Sequence, residues 1–168
     1  MSTDPEERVS TDGDLTSLCE EISELAVRHD ITIAVAESLT SGNLASMLGK
    51  APSSGEWFKG GIVAYAKDVK HSLLGVPDGP VVSKTAASTM ARSTAELLGA
   101  DMAIAVTGEA GPETQEEQPP GTVWIAACDR GVMSAERKQF DGEPADILAD
   151  TLSFSIASLL EHARRREN

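Results

Sequence analysis

The sequence predicts an α/β fold: a three-layer α/β/α sandwich around a mixed, mostly parallel sheet of about five strands. Three observations carry that expectation. Short apolar runs, ITIAVA at 31–36 and MAIAV at 102–106, alternate with amphipathic helical patterns, and strands separated by helices pair in parallel. Two later runs, 122–128 and 132–140, are joined by Asp129-Arg130-Gly131, a hairpin signal that adds antiparallel pairing. The 168 residues show no internal repeat and no linker, which fits one domain of ordinary size.

The elements follow in order. Residues 1–14, MSTDPEERVSTDGD, are polar, acidic and aperiodic, and read as a disordered tail ahead of a single domain spanning 15–165. Leu15, Leu18, Ile22 and Leu25 fall on one helical face, so a helix is expected from Leu15 to about Arg28. Ile31–Ala36 reads as a buried strand. A short helix follows from about Ser41 to Leu48, with Thr40 placed to cap it. Residues 49–55 carry Pro52 and two serines and read as a loop. Ile62–Tyr65, entered from about Phe58, is a second strand, and Lys67–Leu74 a short helix stopped by Gly75 and Pro77. Ser83 is a natural N-cap and Gly99 a natural C-cap for a long helix between them. Met102–Val106 is the third strand. A loop at 107–121 precedes the hairpin, and so long a connection in a compact domain points to function. The last helix spans about Ala145–Ala163, with Arg164–Arg166 at its C-terminus, where cations favour the helix dipole.

Composition excludes several classes. Fourteen basic against 27 acidic residues give a net charge of −13, the wrong sign for a phosphate-backbone partner, so no nucleic acid is expected. No apolar stretch is long enough for a bilayer and the acidic N-terminus is unlike a signal peptide, so the reading is a cytoplasmic protein without a membrane partner. Cys19 and Cys128 show neither metal spacing nor a CxxC pair and read as two buried thiols. His29, His71 and His162 form no pattern with an acid and read as surface residues.

In open α/β sheets ligands gather beyond the carboxyl ends of the parallel strands. Three polar segments leave such ends: Glu37-Ser38-Leu39-Thr40-Ser41-Gly42, then Tyr65 through Lys70, then Thr107-Gly108-Glu109-Ala110-Gly111-Pro112. Each has a plain structural reading beside a chemical one. Ser38 and Thr40 at a helix start are ordinary caps, and Glu37 is an ordinary acid near a helix dipole. The same turn offers amide donors for an anion or a developing oxyanion. Lys67 and Lys70 are ordinary solvated charges unless burial or a neighbouring cation lowers a pKa, which would make a lysine fit to deprotonate a serine. Tyr65 is either a strand end with a solvated hydroxyl or a cleft residue. The glycines of GEAGP serve a turn, or let backbone approach a ligand. They match neither GxxxxGK[ST] nor GxGxxG.

Taken together and in order, these segments resemble the C-terminal domain family of CinA proteins. The resemblance rests on Ala36-Glu37-Ser38-Leu39-Thr40-Ser41-Gly42; on Ser53, Ser54, Trp57, Phe58, Gly61, Val63 and Tyr65 followed by Lys70 and Leu74-Gly75-Val76; and on Val82-Ser83, Ala105 through Pro112, and Pro119, Gly121, Thr122 and Val123. It spans about residues 15–160. That family includes stand-alone nicotinamide-nucleotide amidohydrolases. The resemblance therefore implies hydrolysis of the carboxamide of nicotinamide mononucleotide to nicotinate mononucleotide and ammonia, without a metal or organic cofactor.

By the same resemblance Ser38 is the nucleophile and Lys70 its general base, with Tyr65 beside them. Glu37, Thr40, Ser41, Gly42, Thr107, Gly108 and Gly111 are expected to bind substrate or orient the pair. A homo-oligomer is implied as well. The sequence departs from the family pattern at Leu39 and Ser41, where cysteine and glycine are usual. It departs again at Lys67, at Thr114-Gln115 in an acidic loop, and at Gly142-Glu143-Pro144, where an arginine suited to a substrate phosphate is usual. Lys67 and Lys138 are the replacement cations considered. Two further readings stay open: an amidase for another small amide, and an inactive ligand-binding or interaction module of the same fold.

Overall fold

The computed structural model describes residues 5–114 and 116–167, with side chains described from Asp14 to Arg166 apart from residue 115. Among the described residues six α-helices and five strands follow the order α1 (Pro5–His29), β1 (Ile33–Glu37), α2 (Asn43–Gly49), α3 (Ser54–Trp57), β2 (Phe58–Val63), α4 (Lys67–Ser72), α5 (Lys84–Leu98), β3 (Met102–Gly108), β4 (Thr122–Asp129), β5 (Val132–Gln139) and α6 (Pro144–Arg164), with a short 3-10 turn at Arg165–Glu167. The strands form one sheet in the order β2-β1-β3-β4-β5. β1 pairs in parallel with β2 and β3, whereas β4 is antiparallel to both β3 and β5. The mixed α/β/α sandwich is thus as expected.

The two faces of the sheet differ because residues alternate along each strand. Ile33, Val35, Ile104, Val106 and Ile125 point toward α1, α2, α3 and α6 and build the larger core with Ile22, Leu44, Trp57 and Ile156. On the other face Ala36, Ala105 and Ala126 meet Ala86, Ala87 and Ala91 of α5. Small side chains on both surfaces let that helix lie close to the sheet, which explains how a chain with 4% aromatics fills its interior. Trp57 is 2% exposed and donates its indole N–H to Ser23 Oγ at 3.1 Å, while Ser23 donates to the carbonyl of Pro52, pinning α3 to α1.

Several boundaries differ from the sequence expectation. Residues 1–4 of the expected tail lie outside the described residues, but from Pro5 onward the tail is corrected: α1 begins there, ten residues ahead of Leu15. Proline suits a first helical turn. The expected loop at 49–55 holds the start of α3, a single turn too short to show periodicity. Ser83 caps α5 as expected, its hydroxyl accepting from Ala86 N at 3.1 Å, and Gly99 closes that helix in the left-handed region at φ 63°. Arg130 and Gly131, at φ 50° and 82°, form the tight hairpin turn.

Register places the site. Glu37 lies opposite Val63, and Ala36 opposite Ala105, so β1, β2 and β3 end at one edge of the sheet. β4 starts there, with Val123 opposite Gly108, and β5 returns there, with Gln139 opposite Thr122. α6 therefore also begins at this edge.

Candidate functional site

Beyond that edge lies a cleft of about 360 Å³. All three polar segments identified in the sequence reach it. Ser38, Ser41, Tyr65, Lys70, Thr107, Gly108 and Gly111 line it, joined by Lys67, Val81, Val82 and Glu109. Glu37, Thr40 and Gly42 are not on its wall; they build the turn that presents Ser38.

The turn is held by one carboxylate. Glu37 is fully buried, and its Oε1 accepts from Thr40 Oγ1 at 2.7 Å, Gly42 N at 3.2 Å and Leu44 N at 2.8 Å. Its Oε2 accepts from Ala45 N at 2.9 Å. The expected cap at Thr40 is corrected accordingly: the N-cap position is Gly42 at φ 102°, without a side-chain cap of its own, and Glu37 satisfies the first amides of α2 from the end of β1. The Thr40 hydroxyl donates to Glu37 instead. Ser41 at φ 53° and Gly42 make two successive left-handed residues, the geometry that folds the carboxylate back over the helix start. The amides at 42, 44 and 45 are taken up by Glu37, so they do not supply an oxyanion hole. Ser38, 7% exposed, stands between this braced turn and the cleft.

Lys70 is 3% exposed, and its Nζ donates to the carbonyl of Tyr65 at 3.1 Å. Burial holds its pKa below the ordinary lysine value, Lys67 pushes it the same way, and Glu116 and Glu109 pull against them. Tyr65 itself is 66% exposed at the cleft mouth, so its backbone rather than its ring fixes the lysine. Thr107, fully enclosed, donates its hydroxyl to the carbonyl of Val81 at 2.7 Å, which ties the end of β3 to the strap before α5. At Gly108 a Cβ would stand 2.8 Å from the Thr122 carbonyl oxygen, so glycine is what lets β4 start there.

The acidic loop contributes a residue that sequence reasoning missed. The carboxylate of Glu116 accepts from Val81 N at 2.8 Å and Val82 N at 2.7 Å, and pairs with Lys67 Nζ at 3.3 Å. Burial pushes its pKa up, but the two amides and Lys67 outweigh burial and hold the carboxyl below its usual range. Its own amide donates to Glu109 Oε1 at 3.1 Å. No local pattern marks it, because its partners lie 34 and 35 residues away in the chain. The first turn of α6 reaches the cleft through Pro144, and Leu148 follows one turn later. Lys138 is occupied elsewhere, 3.0 Å from Glu136 and 4.4 Å from the centroid of the Phe154 ring.

The histidines are outside the cleft, but His162 is corrected from surface to core: it is 7% exposed and 3.7 Å from Asp129. His71 Nδ1 bonds the Val76 carbonyl at 2.8 Å. Both cysteines are free and buried, as expected, and burial pushes the Cys19 thiol up to about 11. Among the described residues no group of three His, Cys, Asp or Glu side chains is gathered to hold a metal, and no helix is long and apolar enough to cross a membrane.

The family model of the CinA C-terminal domain matches residues 15–163, which takes in every strand and the whole cleft. The chain belongs to the CinA C-terminal domain family. Among relatives, a putative competence-damage inducible protein of Levilactobacillus brevis is 42% identical over 125 residues, covering 71% of this chain and 30% of that protein. One from Streptococcus pyogenes serotype M12 is 44% identical over 135 residues, covering 77% of this chain and 32% of that protein. The chain thus spans about a third of the length of the curated relatives it matches. A CinA superfamily protein from Klebsiella pneumoniae superposes with a TM-score of 0.85 at 29% identity, over 90% of this chain and 98% of the other. The superfamily protein from Escherichia coli gives 0.84 at 31%, over 88% and 89%.

Proposed function

We propose that this CinA domain is a Ser-Lys amidohydrolase that converts the carboxamide of nicotinamide mononucleotide to the carboxylate and ammonia, as a cytoplasmic homo-oligomer with no nucleic-acid partner. The observation that carries the reading is that Ser38, just beyond β1, and a buried Lys70, on α4, line the same cleft. A lysine with a lowered pKa holds more neutral amine than an ordinary lysine, and a neutral amine accepts the serine proton.

The chemistry balances with these two groups. Ser38 Oγ adds to the amide carbon as its proton passes to Lys70 Nζ. Collapse of the tetrahedral adduct breaks the carbon–nitrogen bond, and Lys70 returns the proton to the leaving nitrogen, releasing ammonia. Water then adds to the resulting ester as Lys70 takes its proton, and Lys70 returns that proton to Ser38 Oγ as the ester breaks, releasing nicotinate mononucleotide and restoring Ser38. The Tyr65 carbonyl positions Nζ through both halves.

The test is ammonia release from the mononucleotide by wild type, Ser38→Ala and Lys70→Ala, with thermal melts of all three. Release by wild type alone, from equally folded proteins, is the expected result; undiminished release by both variants refutes the assignment. A second reading, an amidase for another small amide, draws on the apolar surface that Pro144 and Leu148 give one end of the cleft. Equal kcat/KM for the mononucleotide and the riboside lacking phosphate would favour it.

A further inference from the structure

The strap before α5 carries an arrangement of donors that the hydrolytic chemistry does not use. Val81 N lies 3.1 and 2.8 Å from the two carboxylate oxygens of Glu116, and Val82 N lies 2.7 Å from the first of them. Lys67 Nζ completes the group, 3.3 Å from the second oxygen. Two successive amides and an ammonium converging on one point are the donor set of an oxyanion site. Val81, Val82 and Lys67 all stand on the wall of the cleft that holds Ser38 and Lys70. The group now filling the site arrives from the far loop.

We propose that Val81, Val82 and Lys67 form an oxyanion subsite whose ligand is the phosphate of the substrate, and that Glu116 fills it in the unliganded domain as an exchangeable stand-in. The phosphate assignment rests on the mononucleotide reading above; the subsite does not. A phosphate monoester carries three acceptor oxygens and more charge than a carboxylate, so the same donors hold it more strongly. Exchange also preserves the charge balance. Glu116 compensates Lys67 and acts on Lys70, and an arriving phosphate takes over both roles as Glu116 swings out toward solvent. Glu109, which lines the cleft together with Glu113, accepts from the Glu116 amide and so anchors the loop that carries the stand-in. With Glu116 in place, phosphate affinity is taxed by the cost of displacing it.

The experiment titrates inorganic phosphate into wild type, Glu116→Ala and Glu116→Ala/Lys67→Gln at constant ionic strength, followed by calorimetry. The expected result is phosphate bound at least about tenfold more tightly by Glu116→Ala than by wild type, a gain of about 1.4 kcal/mol, with the gain lost in the double variant. Glu116→Gln, which keeps the side-chain shape, stands in if the alanine variant melts early. Equal phosphate affinity in wild type and both Glu116 variants overturns the subsite and makes Glu116 a fixed strut. These arms need no turnover, so they read out even if the amidohydrolase assignment fails. The substrate arm compares KM for the mononucleotide and its riboside. Glu116→Ala lowers the first and leaves the second unchanged if the subsite serves the substrate. Tight phosphate binding with neither KM altered assigns the subsite to free phosphate and overturns the substrate assignment.

Discussion

Replacing Glu37 by glutamine separates a strut from a substrate contact. The carboxylate accepts four hydrogen bonds in a fully buried position, three on one oxygen and one on the other. Glutamine keeps a single acceptor oxygen. With that oxygen facing Thr40, Gly42 and Leu44, its NH2 group faces the Ala45 N–H, donor against donor, in a position closed to solvent. Losing one hydrogen bond to a charged group costs about 1.5–3 kcal/mol. Removing the negative charge from the start of α2 adds about 0.3–2 kcal/mol. The sum, about 2–5 kcal/mol, lowers the melting temperature of a domain this size by on the order of 10 °C. Circular-dichroism melts of wild type and Glu37→Gln measure it, and ammonia release below the transition gives the activity. Both are expected to fall, because Ser38 is the next residue in the same turn. A melting temperature within about 2 °C of wild type, with the loss confined to KM, would refute the reasoning and restore Glu37 as the substrate contact expected from the sequence.

Two further expectations concern protons. Catalysis by neutral Lys70 places the acid limb of the kcat profile below the ordinary lysine range, since burial, foremost, lowers that pKa. Lys67→Gln removes a like charge and raises the Lys70 pKa, so the limb should move to higher pH; movement to lower pH contradicts the assignment of the base. His162 is held below its ordinary value first by burial and then by Arg165, against Asp129 and Glu161. The unfolded chain then takes up the proton before the folded one does, so stability is lost as pH falls from about 6.5 toward the depressed folded value. Melting temperatures measured from pH 7 to 5 should fall, and His162→Gln should abolish part of the fall; identical slopes would refute the role of His162.

The sequence disclosed what local pattern encodes. The apolar runs located β1 and β3, Ser83 and Gly99 bracketed α5, and the hairpin turn was visible in Arg130-Gly131. The three polar segments pointed to one cleft because all of them leave parallel strands at the same edge. What stayed hidden depends on partners far along the chain or on conformation without a residue signature. The start of α2 is capped from upstream by Glu37 through two left-handed residues, one of them a serine, where a hydroxyl at Thr40 was the simpler expectation. Glu116 looked like one acid among several in a loop until its partners at Val81 and Val82 were in view. The polar composition of residues 5–14 concealed a helix because that stretch shows no apolar stripe to betray its period. His162 read as a surface residue because it forms no sequence pattern with an acid, whereas its position on α6 brings it within 3.7 Å of Asp129 at the end of β4.

The position of β1 within the sheet has a mechanical consequence. β1 is bonded on both sides, by β2 and β3, whereas β2 forms the margin and has a neighbour on one side only. Ser38 thus follows a strand held on both sides, whereas Lys70 sits on the short helix that follows the edge strand. The proposed nucleophile and base are thus held by separate parts of the fold. Substitutions along β2 and α4 can retune the timing and the pH of proton transfer while the attacking oxygen keeps its place.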